Sequence, residues 1–392
     1  MKKTLYGTTA LVAAGFAMGA AAPASAAEPI KLGVSGYAQY YVMYVDQSDG
    51  GTPAGATNAT TGIVQPQSGN ADVDIKNNGE IWFKGSTKLD NGISIGVDVQ
   101  FESFQSGDQV DEQYMFIQSP TLGRLIIGDE NGAGYLMHIW SLGQGVHIDT
   151  GTVASVGAYQ NTTGGTFFNS PLGNTQGRAL DNDGAKITYI SPRLHGVQLG
   201  VSYSPRFNED TNAGANNAVA HNGWDVAVQY KTNVDGVGIG VMGGYKYANG
   251  QDTIQINTAK SDIRNWKVNG ELSYAGFRLS GGYLQQLEGL IAAGNSLAGH
   301  SYIVNLSYSA GPWGVSTGFF HGEAENLLSV VGNDEHDKWV VEGRYAIGPG
   351  INVVGGVFGF DLTAEGTPVQ QEANGEIDND GFGAVVGVKM SF

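Results

Sequence analysis

Apolar and polar residues alternate over segments of about ten residues, and this limits the possible folds more than any other feature. One segment reads WDVAVQYK over residues 224–231, and another reads ISIGVDVQFE over residues 93–102. Successive side chains of a β-strand point to opposite faces, so each segment would have one apolar and one polar face. Strands in soluble sheets average only about five or six residues. Longer segments with aromatic residues near their ends are typical of a membrane-spanning β-barrel.

Most of the chain divides into segments of this kind, separated by links of alternating length. We predict strands over residues 32–45, 80–89, 92–104, 111–118, 122–129, 184–191, 196–205, 223–231, 237–248, 262–274, 277–287, 299–309, 313–321, 335–346, 350–361 and 381–392. One set of links is short and rich in turn formers, such as residues 90–91 and 275–276, whereas the other set is mostly long and polar. Tight turns at one rim and long loops at the other predict an all-β fold, a transmembrane antiparallel barrel of about 16 strands.

Composition agrees with a β-protein and excludes several functions. The chain has 61 glycines among 392 residues, and each glycine in a helix costs about 1 kcal/mol relative to alanine. A formal net charge of −17 would repel the phosphates of a nucleic acid. There is no cysteine, which excludes disulfide bonds and thiol catalysis.

The first 26 residues have the order of a secretory signal peptide. A basic MKK start is followed by an apolar stretch over residues 11–22 and by an A-x-A site at Ala24 and Ala26. The apolar stretch is shorter than the roughly 20 residues that a helical membrane span needs. We therefore predict that residues 1–26 are cleaved during export and that residues 27–392 form a single barrel domain.

Three stretches resemble the general (non-specific) porins of Gram-negative bacteria, and they are most similar to the alphaproteobacterial members. Residues 32–37 (LGVSGY) resemble the first strand of that family, and residues 123–129 (GRLIIGD) resemble the strand before its third loop. Phe392 ends an alternating segment, as outer-membrane assembly signals do. The resemblance implies an outer-membrane channel for ions and small hydrophilic solutes. It also implies a homotrimer in contact with membrane lipid and lipopolysaccharide.

The resemblance further implies that the third loop, residues 130–183, folds into the lumen and narrows the pore. Family members set acidic loop residues across the pore from basic residues of the wall, and the corresponding acidic residues here are Asp129, Glu130 and Asp149. By strand parity the inward-facing basic residues are Lys84, Arg124 and Lys186. We expect a charged constriction with a mild preference for cations. The short link near residues 105–110 departs from the family, in which the second long loop can latch onto a neighbouring subunit.

Two short motifs raise the alternative of an enzyme. G-x-S-x-G occurs around Ser94 and around Ser316, and a dinucleotide-type GIGVMG occurs over residues 238–243. A nucleophile elbow needs its serine at a strand-to-helix turn, and the dinucleotide motif must open a helix. All of these motifs lie inside alternating segments, so we predict strands there, no catalytic residue and no enzymatic activity.

Metal-binding motifs are also missing from the linear sequence. The seven histidines are scattered, and no group has the spacing of metal ligands. Acidic turns at residues 181–183 and 378–380 do not complete a calcium loop. We expect no cofactor and no metal site, apart from Ca²⁺ or Mg²⁺ held weakly by the rim loops. Two other classes remain open, an outer-membrane barrel enzyme and an exported adhesive or structural β-protein without a pore.

Overall fold

The structure is a computed structural model of the chain. It describes residues 29–47, 72–103, 109–146, 183–207, 220–250, 262–288, 290–292, 295–296, 298–325, 332–363, 365–366 and 379–392. Within these residues the strands are β1 Lys31–Gln47, β2 Val73–Lys88, β3 Ser94–Glu102, β4 Val110–Ser119, β5 Gly123–Asp129, β6 Ala185–Ile190, β7 Val197–Arg206, β8 His221–Val234, β9 Val237–Asn249, β10 Ile263–Tyr274, β11 Phe277–Glu288, β12 Leu290–Ala292, β13 Asn295–Ser296, β14 Gly299–Ala310, β15 Trp313–Ala324, β16 Asp334–Gly348, β17 Ile351–Thr363 and β18 Asn379–Ser391. One short helix, α1 Ala133–Leu136, follows β5.

Sixteen of the strands form one closed antiparallel barrel, in which each strand pairs with its neighbours along the chain. The barrel closes where β1 pairs with β18, and β12 and β13 form a separate small hairpin. Gly36 and Phe392 exchange backbone hydrogen bonds of 2.9 and 3.1 Å at this closure. The predicted all-β barrel of about sixteen strands is confirmed.

All sixteen predicted segments are strands, and the largest difference lies at the start of β2. This strand begins at Val73, whereas the sequence pattern predicts a start at residue 80. Val73 and Ile75 continue the outward face of Ile81 and Phe83, but Asn77 and Gly79 interrupt its apolar run. The interruption hides the alternation although the backbone pairing with β1 continues to Val73.

The alternation separates a lipid-facing outer surface from an inner surface. In β8, Val226 is 42% exposed on the outer face, whereas Asp225 is only 7% exposed on the inner face. Outer-face aromatic pairs lie at both ends of the strands, as the girdles of a membrane barrel require. They are Trp313–Tyr345 and Phe277–Tyr308 near the short turns, and Tyr203–Trp224 and Trp266–Tyr283 near the long loops. No helix among the described residues is long and apolar enough to cross a membrane.

Part of the inner surface is apolar and tightly packed. The inner faces of β1 and β14–β18 carry a buried cluster that includes Tyr41, Met43, Phe320, Phe358 and Leu362. These five side chains are at most 1% exposed. These five side chains therefore do not line open water.

Candidate functional site: the lumen

The chain leaves β5 and runs along the inside of the barrel over residues 130–146. At its start, the Ala133 N–H donates to Ser202 Oγ at 2.8 Å, and the Gly134 N–H donates to Asp225 Oδ2 at 2.8 Å. Ser202 and Asp225 are buried side chains of β7 and β8. A Cβ at position 134 would lie 2.6 Å from Asp225 Oδ1, so glycine allows this close approach.

The middle of this segment packs on β8 and β9. Met137 and Ile139 form a buried apolar cluster with Ala227 and Met242. The Gln229 side chain donates to the Met137 carbonyl at 2.7 Å. Apolar contact and a satisfied carbonyl together hold the segment against the wall, since an unpaired buried carbonyl would cost about 1–3 kcal/mol.

Three basic side chains hold the far part of the segment. Arg278 of β11 donates to the Trp140 carbonyl and pairs with Glu271 at 2.8 Å. Arg344 of β16 donates to Gln144 Oε1 at 2.9 Å, and Lys389 of β18 donates to the Gly145 carbonyl at 3.2 Å. The loop backbone therefore reaches strands on the far side of the barrel from β5.

A buried Ser316–Glu342 pair is the last anchor. The Gln144 N–H donates to Ser316 Oγ at 2.6 Å, Ser316 donates to Glu342 Oε1 at 2.9 Å, and the Val146 N–H donates to Glu342 Oε2. A Cβ at Gly143 would lie only 1.4 Å from Glu342 Oε1. Residues 147–182, which include the predicted constriction residue Asp149, lie outside the described residues.

A cavity of about 430 Å³ lies beside the far part of the segment. Its lining includes Gln39, Gln144, Arg278, Arg344 and Lys389. Four of these five side chains come from barrel strands, and three of the four are basic. The cavity therefore lies between the barrel wall and the loop, and its wall carries three basic side chains.

Carboxylates cluster on the inner face of β2–β4. Glu80 accepts hydrogen bonds of 2.6 Å from the Tyr37 hydroxyl and the Trp82 indole, and it pairs in register with Glu102. The carboxylates of Glu80, Asp111 and Glu112 lie within 4.8 Å of one another. An all-oxygen set of this kind has the chemistry that hard cations prefer. We call Glu80, Glu102, Asp111 and Glu112 the acidic patch.

Comparisons with known proteins agree with this architecture. The sequence model of the Gram-negative porin family matches residues 7–364. The chain belongs to this family. It is therefore an outer-membrane channel for passive diffusion, and the predicted porin function is confirmed. Porins are channels rather than enzymes, so the match supports neither the barrel enzyme nor the pore-free adhesive protein.

Solved structures show the same fold at low sequence identity. A porin refined at 1.8 Å is similar with a TM-score of 0.56 and 16% identity, covering 92% of this chain and 100% of that one. An anion-selective porin from Comamonas acidovorans has a TM-score of 0.56 and 11% identity, with 93% and 100% coverage. The trimer form of OmpT from Vibrio cholerae has a TM-score of 0.57 and 12% identity, with 93% and 100% coverage. No curated protein sequence matches the chain significantly.

The three basic residues predicted for the porin wall all lie on inner faces. Lys84 forms a 3.2 Å salt bridge with Asp98, and its side chain remains 47% exposed. The Arg124 guanidinium lies 4.9 Å from the centre of the Phe116 ring. Lys186 is buried and donates to the Glu130 carbonyl. Lys84 is thus the most accessible of the three, whereas Lys186 holds the beginning of the loop.

Of the predicted acidic residues at the start of the loop, one is inside the barrel and one is not. Glu130 is 5% exposed, and this burial raises the pKa of its carboxyl, although the Asn131 N–H at 2.8 Å acts in the opposite direction. Asp129 shares the outward parity of Ile127 and accepts a 3.1 Å hydrogen bond from Gln113, an exposed residue of β4. Placing Asp129 in the constriction is therefore a prediction that we correct.

The serines of both G-x-S-x-G motifs and the whole dinucleotide-type motif belong to strands, although the first motif begins in the turn before β3. Ser94 belongs to β3, Ser316 belongs to β15, and residues 238–243 belong to β9. Ser316 holds the loop through its contacts with Gln144 and Glu342 rather than meeting a helix. These contacts explain why a serine occupies this position on the inner face.

Sequence reasoning missed the groups that hold the loop and form the acidic patch. Strand parity alone places Arg278, Arg344 and Lys389 inward but does not give their height along the barrel. Ser202, Asp225 and Glu342 could have been found by the same parity signal, since each is a polar residue opposite apolar neighbours. Their pairing with the loop depends on the path of residues 130–146, which no local pattern encodes.

Proposed function

We propose that residues 130–146 narrow the lumen of this porin and that ions and small hydrophilic solutes pass beside them. Hydrogen bonds anchor this segment to inner-wall side chains of β7, β8, β16 and β18, and these contacts are the main support for the proposal. A segment tied to several strands occupies part of the cross-section without closing it. The cavity that Arg278, Arg344 and Lys389 help to line gives space beside the loop.

Charge in the lumen supports a mild preference for cations. The acidic patch brings four carboxylates together on β2–β4, while Lys84 is paired with Asp98. The basic cavity residues Arg278, Arg344 and Lys389 already contact the loop. Fixed charge in a narrow low-dielectric lumen selects ions by sign. We therefore assign the cation preference to the acidic patch rather than to Asp129.

Neutralising the acidic patch should shift the ion selectivity toward anions. In a Glu80→Gln, Asp111→Asn variant, the reversal potential under a salt gradient should move toward the anion value, because two negative charges leave the ion path. Asp235→Asn, in an exposed turn, is the matched control and should leave the reversal potential unchanged. An unchanged potential in the double variant would show that ions do not pass this patch.

We also propose that the porin is a homotrimer. The support is the similarity to a solved trimer form of OmpT. Without boiling, the exported protein should migrate in SDS well away from the mass of its mature chain. It should also show β-type circular dichroism, since closed strands satisfy their backbone groups internally. Identical migration before and after boiling would contradict a stable barrel trimer.

We also propose that the protein is exported by means of a signal peptide that is then cleaved. Residues 1–26 have the basic, apolar and small-residue order of such a peptide, and they lie outside the described residues. Membrane lipid and lipopolysaccharide would then contact the outer surface, whose exposed apolar band matches such an environment. N-terminal sequencing of the outer-membrane protein should begin at Ala27, and a sequence beginning at Met1 would refute cleavage.

A further inference from the structure

Two histidines and two carboxylates meet on the outer surface near the long loops. His300 lies on β14, His321 and Glu323 on β15, and Asp337 on β16. The strand register places His300 opposite Glu323 and His321 opposite Asp337. All four share the outward parity of Tyr302 and Trp339, whereas the intervening Ser301 and His336 are buried inside.

The distances within this group are those of ligands around a cation. His300, His321 and Glu323 each offer one ligand atom, and these atoms lie within 4.8 Å of one another. His300 Nδ1 is 3.5 Å from Glu323 Oε1. The three residues come from two neighbouring strands of a closed sheet, so the backbone holds them together whether or not an ion is bound. Only side-chain adjustment is needed to bring three atoms to bonding distance.

Asp337 orients one of the imidazoles. Its Oδ1 lies 2.8 Å from His321 Nδ1, so the protonated Nδ1 donates to the carboxylate and Nε2 keeps its lone pair for a metal. The His321 ring also lies 5.0 Å from the Tyr302 ring, which restricts its rotation. A carboxylate behind a histidine is a recurring arrangement in metal sites, where it fixes the tautomer and raises the basicity of the ligand.

We propose that His300, His321 and Glu323 bind one first-row divalent cation of the zinc type, with Asp337 as a positioning residue. Two imidazoles and one carboxylate suit Zn²⁺, which binds nitrogen and oxygen ligands at about 2.0–2.2 Å. Three protein ligands leave a fourth position open. Ca²⁺ and Mg²⁺ prefer oxygen ligands and should compete poorly. The site faces outward beside the exposed aromatic residues Tyr302 and Trp339, where it is accessible from the membrane surface.

Zinc titration of the refolded full chain in detergent tests the site. We expect one Zn²⁺ per barrel in isothermal titration calorimetry, retained in a large excess of Mg²⁺. The His300→Ala, His321→Ala double variant should lose this binding, whereas His195→Ala, at an exposed turn near the other rim, should keep it. Asp337→Asn should weaken the affinity about 10- to 100-fold, and Asp337→Glu should restore much of it. Far-UV circular dichroism establishes that each variant is folded.

Three outcomes would overturn the assignment. One is the absence of stoichiometric Zn²⁺ binding in the wild-type barrel. Another is unchanged Zn²⁺ affinity in the folded double variant, which would place the ion elsewhere. The third is displacement of Zn²⁺ by Mg²⁺ at similar concentration, which would indicate an oxygen site. Substitution by Co²⁺ gives an independent readout, because its visible absorption should change in the double variant and in Asp337→Asn but not in His195→Ala.

Discussion

Deleting Phe392 should lower the amount of protein inserted in the outer membrane about tenfold or more. Phe392 and Gly36 exchange two backbone hydrogen bonds where the barrel closes, and the Phe392 ring is 65% exposed at the rim. Each buried backbone group left unpaired costs about 1–3 kcal/mol, and an aromatic ring is favoured at the membrane interface. Immunoblotting of outer-membrane fractions measures the inserted protein.

Substitutions at position 392 separate the contribution of the aromatic ring to membrane insertion from that of the backbone hydrogen bonds. Phe392→Tyr keeps an aromatic ring and should insert nearly as well as the wild type, whereas Phe392→Asp places a charge at the interface and should behave like the deletion. Gly36→Val should also impair assembly, because a Cβ there would clash with the Glu80 carbonyl oxygen of β2 and would lie 3.2 Å from the Phe392 ring at the closure. Normal insertion of the deletion would show that the terminal residue is not an assembly signal.

Replacing residues 131–182 with a short Gly-Ser linker should raise the single-channel conductance several-fold and enlarge the solutes that enter. The physical reason is that residues 131–146 occupy space inside the barrel and are tied to its wall by Ser202, Asp225, Arg344 and Lys389. The sixteen strands pair with one another without this loop, so the barrel should still close. Planar-bilayer recording measures the conductance, and liposome swelling with sugars of increasing size measures the exclusion limit.

A milder double substitution should weaken only the last anchor of the loop, the Ser316–Glu342 pair. The Ser316→Ala, Glu342→Gln variant removes the hydroxyl that accepts from the Gln144 N–H and the negative charge of the group that accepts from the Val146 N–H. It should give noisier current with a smaller conductance increase. The matched control is Thr317→Ala, Glu335→Gln, which makes similar changes on the outer faces of the same strands. Unchanged conductance after loop excision in an inserted barrel would mean that the loop does not narrow the pore.

The barrel was predictable from the sequence because each strand carries its own signal. In β8 the inner and outer faces differ in polarity at every step from Trp224 to Tyr230 except at Ala227, so no long-range information is needed. The start of β2 was missed because Asn77 and Gly79 interrupt the apolar face, while the pairing that extends the strand depends on β1. Local alternation therefore predicts which segments are strands more reliably than it predicts where a strand begins.

The interior of the barrel was less predictable because it depends on contacts between distant segments. Asp129 ends β5 with the outward parity of Ile127, whereas Glu130 lies inside because the chain leaves the strand there. That inward path depends on contacts of residues 130–146 with distant strands. His300 and Glu323 lie 23 positions apart but become partners through the turn at residues 311–312. Linear ligand spacing misses such a pair, whereas the register of the hairpin would have predicted it.

Single-channel recording of the purified wild-type protein in a planar bilayer tests the central claim most directly. A water-filled pore narrowed by the loop should give discrete current steps whose size rises with salt concentration, together with a reversal potential on the cation side under a salt gradient. Steps should appear only after the folded protein is added, and protein unfolded by boiling is the control. If the folded and inserted barrel gives no current steps, the lumen is closed and the diffusion channel is contradicted.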